Sequence, residues 1–252
     1  MSCDSAELIG YLDTYLRVGE GPDYANALNG LQVANSGKLS KIAVAVDACQ
    51  ATIDAAAGMG ADLLIVHHGL FWSGLEPLTG RHGRRVRALY LNDIALYSAH
   101  LPLDCHPEVG NNAVLARDLG LAEVEGFGEY NGVTIGVMGS YGGGLADLVD
   151  RLRGRLGGDT RVIACGPAVC RKVAIVSGAA SDLLRAARDA GVDTFVTGEG
   201  PHHTYLDAEE WGMNLIYAGH YATETVGVIA LAGHLERRFG MPWEFVDHPT
   251  GL

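Results

Sequence analysis

Residues 61–72 read Ala-Asp-Leu-Leu-Ile-Val-His-His-Gly-Leu-Phe-Trp. The apolar run at 63–66 is too short for a helix by itself and is bounded by Gly60 and Gly69. It therefore reads as a buried, parallel strand. In open α/β sheets ligands bind at the C-terminal ends of such strands, and this one ends in His67-His68. Two imidazoles there are metal ligands, acid/base groups or ordinary polar loop residues, and the rest of the chain has to decide.

Just before this stretch, residues 41–47 (KIAVAVD) predict a strand and 48–60 a helix, so the His-His strand closes a βαβ unit. A helix at 84–91 and a buried strand at 94–98 (IALYS) follow, running into His100-Leu-Pro-Leu-Asp104. Pro102 argues for a loop there. Nearer the N-terminus, residues 4–17 form a helix capped by Asp4 or Ser5, with Leu8, Leu12, Tyr15 and Leu16 as its apolar stripe. Residues 24–33 pass from a loop into a short strand. Downstream, 111–119 is helical and 123–131 is a polar connector. Strands are then expected at 133–138, 161–165, 172–178, 193–200, 214–218 and 243–246, with helices at 145–156, 181–190, 206–211 and 220–239. The fold class is α/β: two related lobes with mainly parallel mixed sheets, residues 1–125 and 126–252, the final helix packing back on the first lobe as an option.

The relation between the lobes is read directly. Residues 41–69 align with 172–200 without a gap at a constant offset of 131, with identities that include Lys41/Lys172, Gly60/Gly191, Asp62/Asp193 and Gly69/Gly200. Aligning His100 with His220 pairs Tyr97 with Tyr217 and Asp104 with Glu224. Each half then carries a buried strand ending in His-x3-acid.

Composition narrows the function classes. A net charge of −12 argues against broad electrostatic binding of nucleic acid or an anionic membrane. No apolar run approaches the roughly 18 residues of a membrane span, and no secretory signal opens the chain. Five cysteines without a zinc or disulfide spacing read as reduced, cytoplasmic thiols, Cys165-x4-Cys170 included.

The ionisable clusters fall where strands should end: His67-His68, His100 with Asp104, and His220 with Glu224. Imidazole and carboxylate are the ligand set of zinc, iron and manganese. Any one of these motifs is weak; a His-x3-Glu is commonly a capped helix start. Together they supply enough donors for two divalent metal ions, which activate water in hydrolytic reactions. His82, Arg84, Arg85 and Arg87, in the basic run 81–87, read first as a solvated helix face, with nucleotide-phosphate binding as the alternative. Gly142-Gly143-Gly144 reads as a plain turn rather than an anion cradle, and His202-His203 as surface loop.

GLQV (30–33), ADLLIVHHGLFW (61–72), SAHLPLD (98–104), TGEG (197–200) and AGHYATE (218–224) in this order resemble the NIF-three-like family, homologues of GTP cyclohydrolase 1 type 2. The resemblance implies a dinuclear metal site in the cleft between the lobes, mapping to His67, His68, Asp104, His220 and Glu224. Glu224 would bridge, with His68 and Asp104 on one metal and His67 and His220 on the other. His100 matches a site-lining histidine rather than a ligand, either supporting the ligands from behind or carrying protons, a catalytic role that Glu224 could also take, and Gly69 stands where many relatives have proline. The family also implies a toroidal homohexamer. The reading that follows is a metal-dependent hydrolase, a metal-activated water attacking an electrophilic carbon of a small molecule, possibly a purine nucleotide such as GTP. The alternative is a non-enzymatic metal-binding ring or regulatory interaction protein.

Overall fold

The His-His strand lies inside a five-stranded sheet, flanked on both sides by parallel neighbours, in the computed structural model, which describes residues 3–251. From the N-terminus the elements are β1 (Cys3–Asp4), α1 (Ser5–Leu16), β2 (Gly30–Val33), β3 (Lys38–Leu39) and β4 (Ile42–Asp47), then α2 (Gln50–Gly58) and β5 (Leu63–His68). There follow α3 (Gly80–Leu91), β6 (Ala95–Ser98) and α4 (Leu101–Asp104). Asp4 caps α1 by accepting from the Ala6 and Glu7 N–H groups, which have no partner within the helix. The short α4 corrects the loop expected at 100–104. Pro102 sits in its first turn, where a missing N–H costs nothing.

The next stretch holds α5 (Asn111–Leu119), β7 (Ala122–Tyr130), β8 (Val133–Gly144), α6 (Leu145–Leu156), β9 (Arg161–Ala164) and β10 (Val169–Val176). A 3-10 turn (Ser181–Leu183) leads into α7 (Leu184–Asp189), then β11 (Thr194–Thr197), α8 (His203–Trp211) and β12 (Asn214–Tyr217). The polar connector of 123–131 is instead β7, an edge strand antiparallel to β8. Only Phe127 on it is buried, so apolar alternation, the sequence mark of a strand, is missing. The triple glycine is likewise not a plain turn: Gly143 and Gly144 pair with Cys170 and Val169 before Gly144 opens α6. The chain closes with α9 (His220–Phe239) and β13 (Trp243–Phe245).

Two compact units result. One runs to Val109 and resumes over Val228–His248; the other spans Gly110–Gly227. The sequence boundary at 125/126 falls inside β7. The first unit's sheet has the order β13-β4-β5-β6-β2, parallel throughout except for β2. Val228, Leu231, Ala232 and Leu235 of α9 fill its core with Leu8 and Leu12 of α1. The second unit's sheet, β7-β8-β10-β11-β12-β9, is parallel only where β10, β11 and β12 meet. Among the described residues no helix is long and apolar enough to cross a membrane.

The repeat is real at the level of bonds. Ile42 pairs with Leu63 as Val173 pairs with Thr194. Asp62 accepts from the Ser40 and Lys41 N–H groups, and Asp193 from those of Arg171 and Lys172. Lys41 Nζ donates to Met59 O (2.9 Å) and Lys172 Nζ to Ala190 O (3.2 Å). The third strand differs from the sequence alignment by one residue. Leu63 pairs with Ala95, and its counterpart Thr194 pairs with Asn214, so Tyr97 corresponds to Ile216 rather than Tyr217. His100 and His220 are therefore not equivalent positions.

Candidate metal centre

In the first unit the imidazoles gather at the C-terminal rim of β5 and β6. His67 and His68 close β5 with ring centroids 4.7 Å apart, and His100, the residue before α4, lies 4.9 Å from His67 and 5.6 Å from His68. One ligand-capable nitrogen from each of the three lies within 4.8 Å of the others. Asp104 is buried at the end of α4, with Oδ2 3.6 Å from His67 Nε2.

Each ring is held through Nδ1. His67 Nδ1 lies 2.9 Å from Ala99 O, His68 Nδ1 2.9 Å from Asp47 Oδ1, and His100 Nδ1 2.8 Å from Asp23 Oδ1. A carbonyl only accepts, so the Ala99 contact places the His67 proton on Nδ1, and carboxylates favour the same tautomer at the other two. Nε2 is thereby left as the lone-pair donor, the arrangement that orients histidines toward a metal. Asp23 also accepts from Leu101 N (3.0 Å) and Asn29 Nδ2 (2.7 Å). Burial alone would raise its pKa; the hydrogen bond and charge of His100, with Asn29 and the Tyr24 N–H, outweigh this and hold it below the usual carboxylate range.

In the second unit His220 opens α9 and Glu224 lies one turn on, buried, with Oε1 3.2 Å from His220 Nε2. Glu199, the residue corresponding to His68 in the repeat, holds His220 Nδ1 at 2.6 Å. Room for the Glu224 carboxylate comes from Gly178 (φ +66°), where an added Cβ would collide with Glu224 Oε1. The hydrogen bond that His220 donates to Glu224, reinforced by Glu199 and opposed by burial, pushes the His220 pKa up to about 9. The negative charge that holds this proton also attracts a divalent cation. Nitrogen and carboxylate donors of this kind fit zinc, iron or manganese.

The remaining candidates fall away from this chemistry. His82 is buried, with its ring edge-on to Phe71, and is no part of a solvated face. His202 and His203 are exposed at the start of α8, and all five cysteines are free thiols. Among the described residues no cysteine joins a potential metal cluster. Gly69 packs against the Gln32 amide, whose Oε1 accepts from Leu70 N at 2.8 Å. Asp23, Asp47 and Glu199 are the orienting groups that the motif reading passed over. Asp47 at the end of KIAVAVD and Glu199 inside TGEG both stood at strand ends, where they were legible; Asp23 carries no such signal.

The model of the family described as Duf34/NIF3 (NGG1p interacting factor 3) matches residues 4–250. The chain belongs to this family. Among Duf34/NIF3 relatives, a protein of Deinococcus radiodurans named GTP cyclohydrolase 1 type 2 homolog is 46% identical over 98% of this chain and 94% of its own length. One of the same name from Archaeoglobus fulgidus is 42% identical over 98% and 99%. A crystallised protein of Thermus thermophilus superposes with a TM-score of 0.91 at 46% identity, covering 99% of this chain and all of that one. Reduced HcgD from Methanocaldococcus jannaschii, 24% identical, shares the NIF3 fold with a TM-score of 0.87 over 98% of this chain and 99% of its own.

Proposed function

We propose that this Duf34/NIF3 protein is a metal-dependent hydrolase whose ligands are His67, His68 and Asp104 from the first unit and His220 and Glu224 from the second, holding two divalent ions. The observation that carries this reading is the fixing of Nδ1 on His67, His68 and His100, which turns their Nε2 atoms toward a ligand or a substrate, with His220 held through Nδ1 by Glu199 beside the Glu224 carboxylate. Divalent ions held by these residues would supply an acidified water and a polarising charge for hydrolysis. His100 takes up and returns a proton at Nε2 while Asp23, hydrogen-bonded to Nδ1, stabilises the charged ring. Glu224 is a second proton acceptor for the same chemistry. The names of the relatives favour a purine nucleotide, GTP first, as substrate. A cytoplasmic homohexameric ring completes the proposal, and light scattering on purified protein tests the assembly.

Metal-loaded protein assayed with GTP for formate release, beside Glu224→Ala, is the direct test. Turnover by the parent alone supports the proposal; equal turnover by both rules the mechanism out. The family description, an interacting factor, favours a second reading as a metal-carrying interaction protein. That reading expects bound metal and no turnover of nucleotides, amides or phosphoesters.

A further inference from the structure

Two aromatic rings stand against the imidazoles of the first unit without belonging to its core. Trp72 meets His100 nearly perpendicular, with centroids 4.8 Å apart at 85°, and His68 at 5.4 Å and 79°. Tyr24 lies 5.6 Å from His100 and 5.9 Å from Trp72, both at 57°. Their backbones are tied to the same groups that set the imidazoles. Asp23 Oδ1 accepts from both Tyr24 N and His100 Nδ1, and Asn26 Nδ2 donates to Trp72 O at 3.1 Å.

Packing does not account for these rings. Tyr24 is 49% exposed although it borders a buried histidine. The indole Nε1 of Trp72 is buried and meets no acceptor among the described residues, whereas a buried indole N–H ordinarily has one. An exposed aromatic beside a polar cluster, with a buried donor next to it, matches a flat, π-rich partner that carries ring acceptors. An aliphatic amide or phosphoester would gain nothing from such a wall beyond simple contact.

We propose that Tyr24 and Trp72 determine specificity at this site by forming the wall on which a planar heterocycle of the substrate lies beside His68 and His100. This inference rests on the metal-hydrolase reading and names the part of the substrate that the metal ligands do not recognise. Guanosine monophosphate is the probe, and ribose 5-phosphate, which keeps the sugar phosphate but lacks the base, is the control. Binding of both to the zinc-loaded full chain is measured by equilibrium dialysis for the parent, Tyr24→Ala, Tyr24→Phe and Trp72→Phe, with zinc content determined on each.

Tyr24→Ala is expected to weaken guanosine monophosphate by about fivefold or more while leaving zinc content and ribose 5-phosphate binding as in the parent. Tyr24→Phe, which keeps the ring, is expected to retain the parent's affinity, and Trp72→Phe to lose part of it through the missing N–H. Equal affinity of parent and Tyr24→Ala for guanosine monophosphate overturns the proposal. So does a parallel loss of both probes, or a zinc-loaded parent that prefers neither. A parent that takes up no zinc instead contradicts the metal reading on which the proposal rests.

Discussion

Residues 41–69 and 172–200 share a strand register, a helix-to-strand turn and an aspartate that gathers backbone N–H groups, yet the first ends in His67-His68 and the second in Gly198-Glu199. The shared part is what packing requires: buried strands, a short helix, and an Asp-anchored crossover. At the strand-end rim the two segments carry different groups: a buried His67 with His68 in the first, and in the second a glycine packed against Gly178 O and His220, followed by Glu199. In the first copy the rim supplies donors directly. In the second, the residue in the place of His68 orients His220, which arrives later in the chain at the start of α9. The two segments thus share a frame and differ in the groups at its rim.

The largest effect is expected from forcing the second ending to copy the first. A Cβ at Gly198 would lie 2.6 Å from both Gly178 O and His220 Cα. Gly198→His should therefore cost about 3 kcal/mol of stability, read by urea denaturation, and a near-neutral result would undo the claim that the second rim is closed by packing. Next come the paired anchors. Asp62→Ala and Asp193→Ala each remove acceptors from two backbone N–H groups and should each cost about 2 kcal/mol. Sharply unequal losses would show the two anchors to be alike in geometry only.

The orienting carboxylates carry the contrast between the two copies to the site itself. Asp47→Asn and Glu199→Gln should each weaken zinc binding by roughly 10- to 100-fold with the fold intact, measured by competition with a chelating dye. The smallest effect concerns pH. With a raised pKa, His220 stabilises metal-free protein fully below its ordinary value of 6.5, and that contribution is lost as pH rises toward about 9. Thermal melting of the metal-free parent should therefore fall over this window more steeply than that of His220→Asn. Parallel curves would mean that Glu224 and Glu199 do not hold the proton.

Much of this was legible in the sequence because apolar runs and glycine punctuation report burial directly; α6 (Leu145–Leu156) and α9 (His220–Phe239) begin and end where their residues predict. The misses have particular causes. β7 is an edge strand with one buried residue, so its sequence reads as a connector. Pro102 marks the first turn of α4 rather than a loop. The Tyr97/Tyr217 match drew the third strand one residue out of register, which only the pairing of Ala95 and Asn214 with their neighbours corrects. The histidines and their acidic companions could be picked out by residue type. Asp23 could not, because its role depends on a loop that folds onto His100.

Zinc content per chain, measured by elemental analysis after dialysis of the zinc-loaded parent and of His67→Ala and Glu224→Ala, decides whether the two rims hold metal as proposed. The account predicts about two ions per chain in the parent and a clear loss in both variants, with circular dichroism unchanged. Parent-like zinc in both variants would contradict it.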